Sequence, residues 1–233
     1  MNEIKNLASF QEILANYKVS DHAKNVLSKT KLLLLAGVTS SGRNTVIGEL
    51  LKTDDYHYIT SDTTRKPRIN RGNIEVNGEE YWFKTEEEFL LGLKQGEYLE
   101  AAIIHDQQVS GISIKEIERA SKEHRIAITD IEIVGVANVV IAKPDTLSVF
   151  MIPPNFDEWL KRINGRGHMP EEELRRRLAS ALKEIEEALS KDYFVIVVND
   201  EFHETARQIK DIFDTKPDQS IPRKVAKNLL LAT

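Results

Sequence analysis

The chain has 233 residues, enough for one substantial core with an inserted piece or for two small domains. With 41% hydrophobic and 30% charged residues it has an ordinary globular balance, and its net charge of −5 argues against a general nucleic-acid binder or a protein held to anionic membranes. The absence of cysteine excludes disulfides, thiolate nucleophiles and Cys-based zinc sites, and no apolar run is long enough to span a bilayer. The start "MNEIKNLASFQEIL" is too polar for the apolar core of a secretory signal, so the expected location is cytoplasmic.

Residues 1–30 read as a polar helical extension, with Leu7, Phe10, Ile13 and Leu14 at helical spacing and a candidate N-cap at Ser20. From Lys31 the texture changes. "KLLLLAG" is a short apolar run ending in glycine, the pattern of a fully buried strand, and "NTVIGELLK" beyond it has helical periodicity. Strand-like runs recur at 56–60, 125–130, 147–152 and 194–198 with helical stretches between several of them, which predicts an α/β fold with a mostly parallel sheet. Residues 61–112 differ, with turn signals in "EVNGEEY" and a helix-like "TEEEFLLGLKQGE", and read as an inserted subdomain. "PEEELRRRLASALKEIEEAL" predicts a helix with Pro170 at its first position, and 213–233 reads as a loosely attached tail.

Between the first strand and its helix lies "GVTSSGRNT". Such a loop turns successive backbone N–H groups toward one point, where the helix dipole adds positive charge, so it can cradle phosphate. Gly37 and Gly42 hold the two glycine positions of the G-x-x-x-x-G-K-[ST] pattern, but Arg43 and Asn44 stand where Lys and a hydroxyl are usual. Arg43 keeps the charge in a bulkier, planar form; Thr45 is the nearest hydroxyl. Taken alone, the stretch is as compatible with a plain strand-to-helix turn as with a nucleotide cradle.

Downstream, "SDTTRKPR" sets Arg65 and Arg68 three residues apart, with Arg71 beyond, and arginine forks at this density suit a phosphate dianion. With "EVNGEEY", "GEYLE", "DIEIVG", "MIPPNFDEWLKRINGRG", "LRRRLASALKEIE" and "VIVVND" following in order, residues 31–212 resemble the guanylate kinase family. The resemblance implies a P-loop NMP-kinase fold with an acceptor-binding subdomain near 61–112 and a helical lid near 162–178. It implies transfer of a phosphoryl group from ATP to GMP, with Mg²⁺, in a monomer or homodimer that engages neither nucleic acid nor membrane. Gly37, Ser40, Gly42, Arg43, Asn44, Thr45 and Asn199 would then bind ATP, and Asn44 and Asp130 would approach the metal through water. Ser61, Arg65, Arg68, Tyr81, Glu100, Asp130 and Glu132 would hold GMP, with Glu100 accepting the N1 and N2 donors that guanine has and adenine lacks. Arg43, Arg162, Arg166 and Arg177 would surround the moving phosphoryl, whereas Arg175 and Arg176 read as a solvated face balancing Glu171, Glu172 and Glu173.

The chain also departs from the family pattern. Besides Arg43 and Asn44, "RINRGNIE" lengthens the acceptor turn, Glu132 replaces an Asp, and "HDQQVSGIS" puts Ser110 where a second phosphate-binding tyrosine is usual. These changes leave open two other readings, a catalytically impaired nucleotide- or protein-binding module and a kinase for another small phosphorylated acceptor.

Overall fold

The computed structural model describes residues 4–70, 73–104, 107–165, 169–213, 215 and 217–232, so Arg71 and Arg166 lie outside the described residues. In chain order the elements begin α1 (Leu7–Ala15), α2 (Asp21–Ser28), β1 (Leu32–Gly37), α3 (Arg43–Leu50), β2 (Tyr56–Tyr58), β3 (Asp62–Thr63), β4 (Ile69–Asn70) and β5 (Asn73–Ile74). They continue with β6 (Trp82–Phe83), α4 (Glu86–Lys94), β7 (Tyr98–Ile104), β8 (Gln108–Ser113), α5 (Ile114–Lys122), β9 (Ile126–Asp130) and α6 (Ile133–Ala142). The last are β10 (Leu147–Ile152), α7 (Phe156–Asn164), α8 (Glu171–Ser190), β11 (Phe194–Val198), α9 (Phe202–Ile212) and α10 (Ser220–Leu231). The described residues divide into two compact units, one drawn from 1–32, 56–127 and 137–144, the other from 33–55, 128–136 and 145–233.

The second unit holds the parallel sheet. β11, β10, β1 and β9 lie in that order, and β10 pairs in parallel with both β1 and β11. "LLLLAG" is buried along its whole length because helices cover both faces of such a sheet, which leaves no polar side for alternation. Gly37 closes β1 opposite Met151, and a Cβ there would stand 2.4 Å from the Met151 carbonyl oxygen, so only glycine lets the two strands stay paired at this point. α10 is an integral part of this unit rather than the loosely attached segment expected. It buries Ala226 and Leu229, and Gln219 just before it accepts from the Ile196 N–H at 2.7 Å while donating to the Ile196 carbonyl. β11 is an edge strand, and this side chain satisfies its outward-facing backbone groups.

The first unit is built on a four-stranded sheet ordered β6, β3, β8, β7. Thr85 and Glu88 form a capping box that starts α4, which fits the run of acids in its first turn. The N-terminal helices belong to this unit. Phe10 is fully buried with its ring edge against Phe89, which stacks on Tyr98 with centroids 4.4 Å apart. Ser20 caps α2 as its sequence position suggests, accepting from the Ala23 N–H.

Candidate functional site

The loop from Gly37 to Arg43 leaves the end of β1 and enters α3, which places its backbone at a helix N-terminus. Gly42, the residue before the helix, has φ +92°, and a Cβ on it would lie 2.3 Å from Asn199 Nδ2. Ser40 also takes a left-handed conformation, φ +60°. Two positive-φ residues so close together bend the chain back on itself, the geometry that collects N–H groups in a concave nest.

Two side chains bond to this loop, and a third ties the helix that follows it to α9. Asn199 Nδ2 donates to the Ser41 carbonyl at 2.7 Å, while Asn199 Oδ1 accepts from the Thr205 hydroxyl. The fully buried Trp159 of α7 donates from its indole N–H to the Thr39 carbonyl at 2.8 Å. His203 on α9 faces Glu49 on α3 at 3.1 Å. Asn199, expected beside a nucleotide base, therefore also works as a strut of the loop, buried and committed on both ends of its amide. Trp159 falls within "MIPPNFDEWLKRINGRG" but has no role assigned to it there; only the helical spacing of α7's apolar residues shows that it faces inward.

Loop residues 37–44 line one cavity together with Asp130, Glu132 and Glu184. Arg43 reaches the Ile131 carbonyl at 3.4 Å. Ser41 Oγ is buried and, among the described residues, has no hydrogen-bond partner, a donor suited to an anionic oxygen. Glu184, on the inner face of α8, is absent from the sequence-derived set because a Glu within "LKEIEEAL" looks like any other helical acid. Burial pushes its carboxyl up to about 7, helped by the neighbouring Glu132 charge and opposed by Arg43. A second cavity runs from Ser40, Gly42 and Thr45 to Arg162, Asn199, Asp200 and Phe202. Arg162 bridges to this side, its Nε donating to Glu158 and its terminal nitrogens to the Asn199 and Asp200 carbonyls at 2.8 and 3.1 Å. Arg177 donates to Glu173 at 2.7 Å, while Arg175 pairs with Glu171 and Arg176 also with Glu173.

In the first unit, Arg65 and Tyr81 stand together, the guanidinium 4.6 Å from the ring centroid. Between Arg65 and Arg68 sits Glu75, buried, accepting from Arg65 Nη2 at 2.9 Å and from the Arg68 backbone N–H at 2.8 Å. The hydrogen bond from Arg65 holds the Glu75 carboxyl down to about 2, so this acid stays ionised and keeps the arginine pair in place. Glu75 carries no separate signal within "NIEVNG". Ser61 leads into β3, which lies in the same sheet as β7, the strand of Glu100. Glu100 retains some exposed surface, yet protein atoms crowd its carboxyl. That desolvation raises it to about 7, against a weaker pull from the Ile112 backbone hydrogen bond. Ser110, at the position of the missing tyrosine, donates to the Thr63 hydroxyl at 3.0 Å and serves the sheet.

A buried parallel strand, a glycine-cornered loop and a helix whose N-terminus opens on a polar cavity define a phosphate-loop nucleotide-binding protein. The family model described as guanylate kinase matches residues 29–216. A guanylate kinase of Trichormus variabilis is 34% identical over 78% of this chain and 89% of its own length, and one of Rhodococcus jostii is 30% identical over 89% and 98%. The chain spans 61% of the length of a guanylate kinase of Mycoplasma mycoides, at 35% identity. A crystal structure of guanylate kinase from Anaplasma phagocytophilum superposes with a TM-score of 0.59, at 26% identity over 83% of this chain and 89% of the other. This chain belongs to the guanylate kinase family.

Proposed function

We propose that the chain carries out the family's reaction, transfer of the γ-phosphoryl of ATP to GMP, with Arg43 as the working cation of its phosphate loop. The observation that supports this most is the cavity that joins the loop, Arg43, Asp130 and Glu132, lined also by Ser41, whose buried hydroxyl has no partner among the described residues. Triphosphate oxygens would accept from the loop N–H groups and Ser41, with the adenine in the neighbouring cavity by Arg162, Asn199 and Phe202.

GMP belongs to the first unit. Arg65, Arg68 and Tyr81 take its phosphate, and Glu100 takes guanine N1–H and N2–H with one ionised carboxylate, while Ser61 contacts the base edge. In the reaction an oxygen of the GMP phosphate forms a bond to the γ-phosphorus as the bond to the β–γ bridging oxygen breaks, leaving ADP and GDP. The acceptor is already ionised, so no general base is required. Charge on the transferring oxygens is met by Arg43, Arg162, Arg166 and Arg177, of which Arg166 lies outside the described residues.

The donor set near the loop fits a magnesium ion bound through water and nucleotide. Asp130 and Asn44 line the cavity, and no group of three or more His, Asp or Glu poised to enclose a metal occurs among the described residues. Mg²⁺ characteristically keeps several waters and takes one or two carboxylates plus phosphate oxygens. When bound, it neutralises β- and γ-phosphate charge.

Replacing Arg43 by Ala should lower kcat about 10²- to 10³-fold, the usual cost of deleting a group that meets developing oxyanion charge. Lys at 43 should stay within about tenfold of the parent, since charge is kept while reach and fork geometry change. Equal activity of the parent and the Ala variant would remove Arg43 from the mechanism.

A further inference from the structure

The N-terminal arm lies outside the residues that the family model matches, yet it is tied to the strand that carries Glu100. β7 is the edge strand of its sheet, so Tyr98 has an outward N–H and C=O that β8 does not meet. Tyr17 meets both: its hydroxyl donates to the Tyr98 carbonyl at 2.7 Å and accepts from the Tyr98 N–H at 3.1 Å. Two neighbouring contacts hold the same turn, Ser20 Oγ donating to the Gly96 carbonyl at 2.9 Å and Phe10 packing behind the Phe89–Tyr98 stack.

The position of this clamp matters because the pairing of β7 with β8 shifts register between Tyr98 and Glu100, with Leu99 as the extra residue. Such a bulge re-aims the side chain that follows it, and here that side chain is Glu100. From the other side, Tyr98 Oη donates to Asp62 Oδ2 at 2.8 Å, and Asp62 directly follows Ser61. Burial raises both the Tyr98 and the Tyr17 hydroxyls, so both keep their protons and remain donors.

We infer that the N-terminal arm is a working part of the acceptor site: Tyr17 is a positioning residue that, through Tyr98, fixes the bulge from which Glu100 reaches guanine. The inference rests on the assignment of Glu100 as the guanine acceptor. The arm thus acts as a brace that sets base selectivity without touching the nucleotide.

The test is steady-state kinetics of the full-length chain with Tyr17→Phe, a change that deletes only the clamping oxygen. KM for GMP should rise about three- to tenfold, the equivalent of one net hydrogen bond, with KM for ATP changed less than about twofold. Preference for GMP over IMP, which lacks the N2 amino group, should fall by a similar factor, a readout that simple loss of stability would not move. In a Glu100→Gln background the Tyr17→Phe change should add nothing to KM for GMP. Should Tyr17→Phe fail to fold, Ser20→Ala removes the adjacent contact along with the α2 cap; it is read by the same GMP/IMP ratio, which a cap loss alone would not move. An unchanged GMP/IMP ratio, or equal changes for ATP and GMP, would overturn the inference while leaving the parent's guanylate kinase activity intact. A parent chain that neither binds nor phosphorylates GMP would overturn both.

Discussion

Burial raises the carboxyls of Glu100 and Glu184 each to about 7. For Glu100, as the proposed guanine acceptor, the expected consequence is a pH-dependent affinity for GMP. Below about 7 the free carboxyl is protonated and cannot accept both guanine donors, so KM for GMP should fall as pH rises from 6 to 8. Kinetics of Glu100→Gln across that range should lose the component near 7, leaving the ionisation of the GMP phosphate near ~6. A parent profile that is flat near 7 would contradict the assignment. For Glu184 the consequence is stability. A carboxyl raised on folding contributes stability that is complete below its unfolded value near ~4.5 and lost as pH rises through about 7. Thermal melts should therefore show Glu184→Gln gaining about 1 kcal/mol over the parent at pH 8 and little at pH 5. Glu75 works in the opposite sense. Held down to about 2, it contributes stability above its unfolded value that is lost only as pH falls toward 2.

Among the elements, the loop from Gly37 to Arg43 takes its shape from partners distant in sequence. Its glycines are legible because no other residue fits where Gly37 meets Met151 and Gly42 meets Asn199. Its supports were not, since Trp159 lies 120 residues from its acceptor and reads from the sequence only as an apolar helix position. Asn199→Ala would strip the Ser41 carbonyl of its side-chain donor in a buried place and leave the Thr205 hydroxyl with the Glu201 carbonyl alone. A loss of about 1–3 kcal/mol in chemical denaturation, with a raised KM for ATP and an unchanged KM for GMP, is the expected result. The strands fared better: "LSVFMI" and "FVIVV" coincide with β10 and β11, because a buried parallel strand is a continuous apolar run with little room for ambiguity. The last helix was misjudged for a physical reason. The polar, proline-bearing run before it suggests a loose linker, yet Gln219 in that run is what caps the outer edge of β11. Gln219→Ala should lower the melting temperature by a few degrees without altering either KM, since it touches neither cavity.

At the scale of the whole molecule, the order of the motifs was more informative than any one of them. The degenerate loop alone left a nucleotide cradle and a plain turn equally open, whereas the arginine pair, the Tyr81 turn, the Glu100 strand and the lid arginines in sequence pointed to one family, to which the chain belongs. What sequence order could not show is that residues with no expected role of their own join the candidate sites. Glu184 joins the cavity of the loop, Glu75 locks the Arg65 and Arg68 turn, and Tyr17 braces β7, each set by a contact that only folding creates. The central claim is that this acidic chain, with Arg in place of the usual loop Lys, is a guanine-selective phosphotransferase. Its most direct test is ADP release from ATP and Mg²⁺ with GMP, dGMP, AMP, CMP or UMP offered separately as acceptor. Turnover with GMP and dGMP alone is the result expected; no turnover with any acceptor, while GMP still raises the melting temperature, would contradict it and leave a nucleotide-binding module.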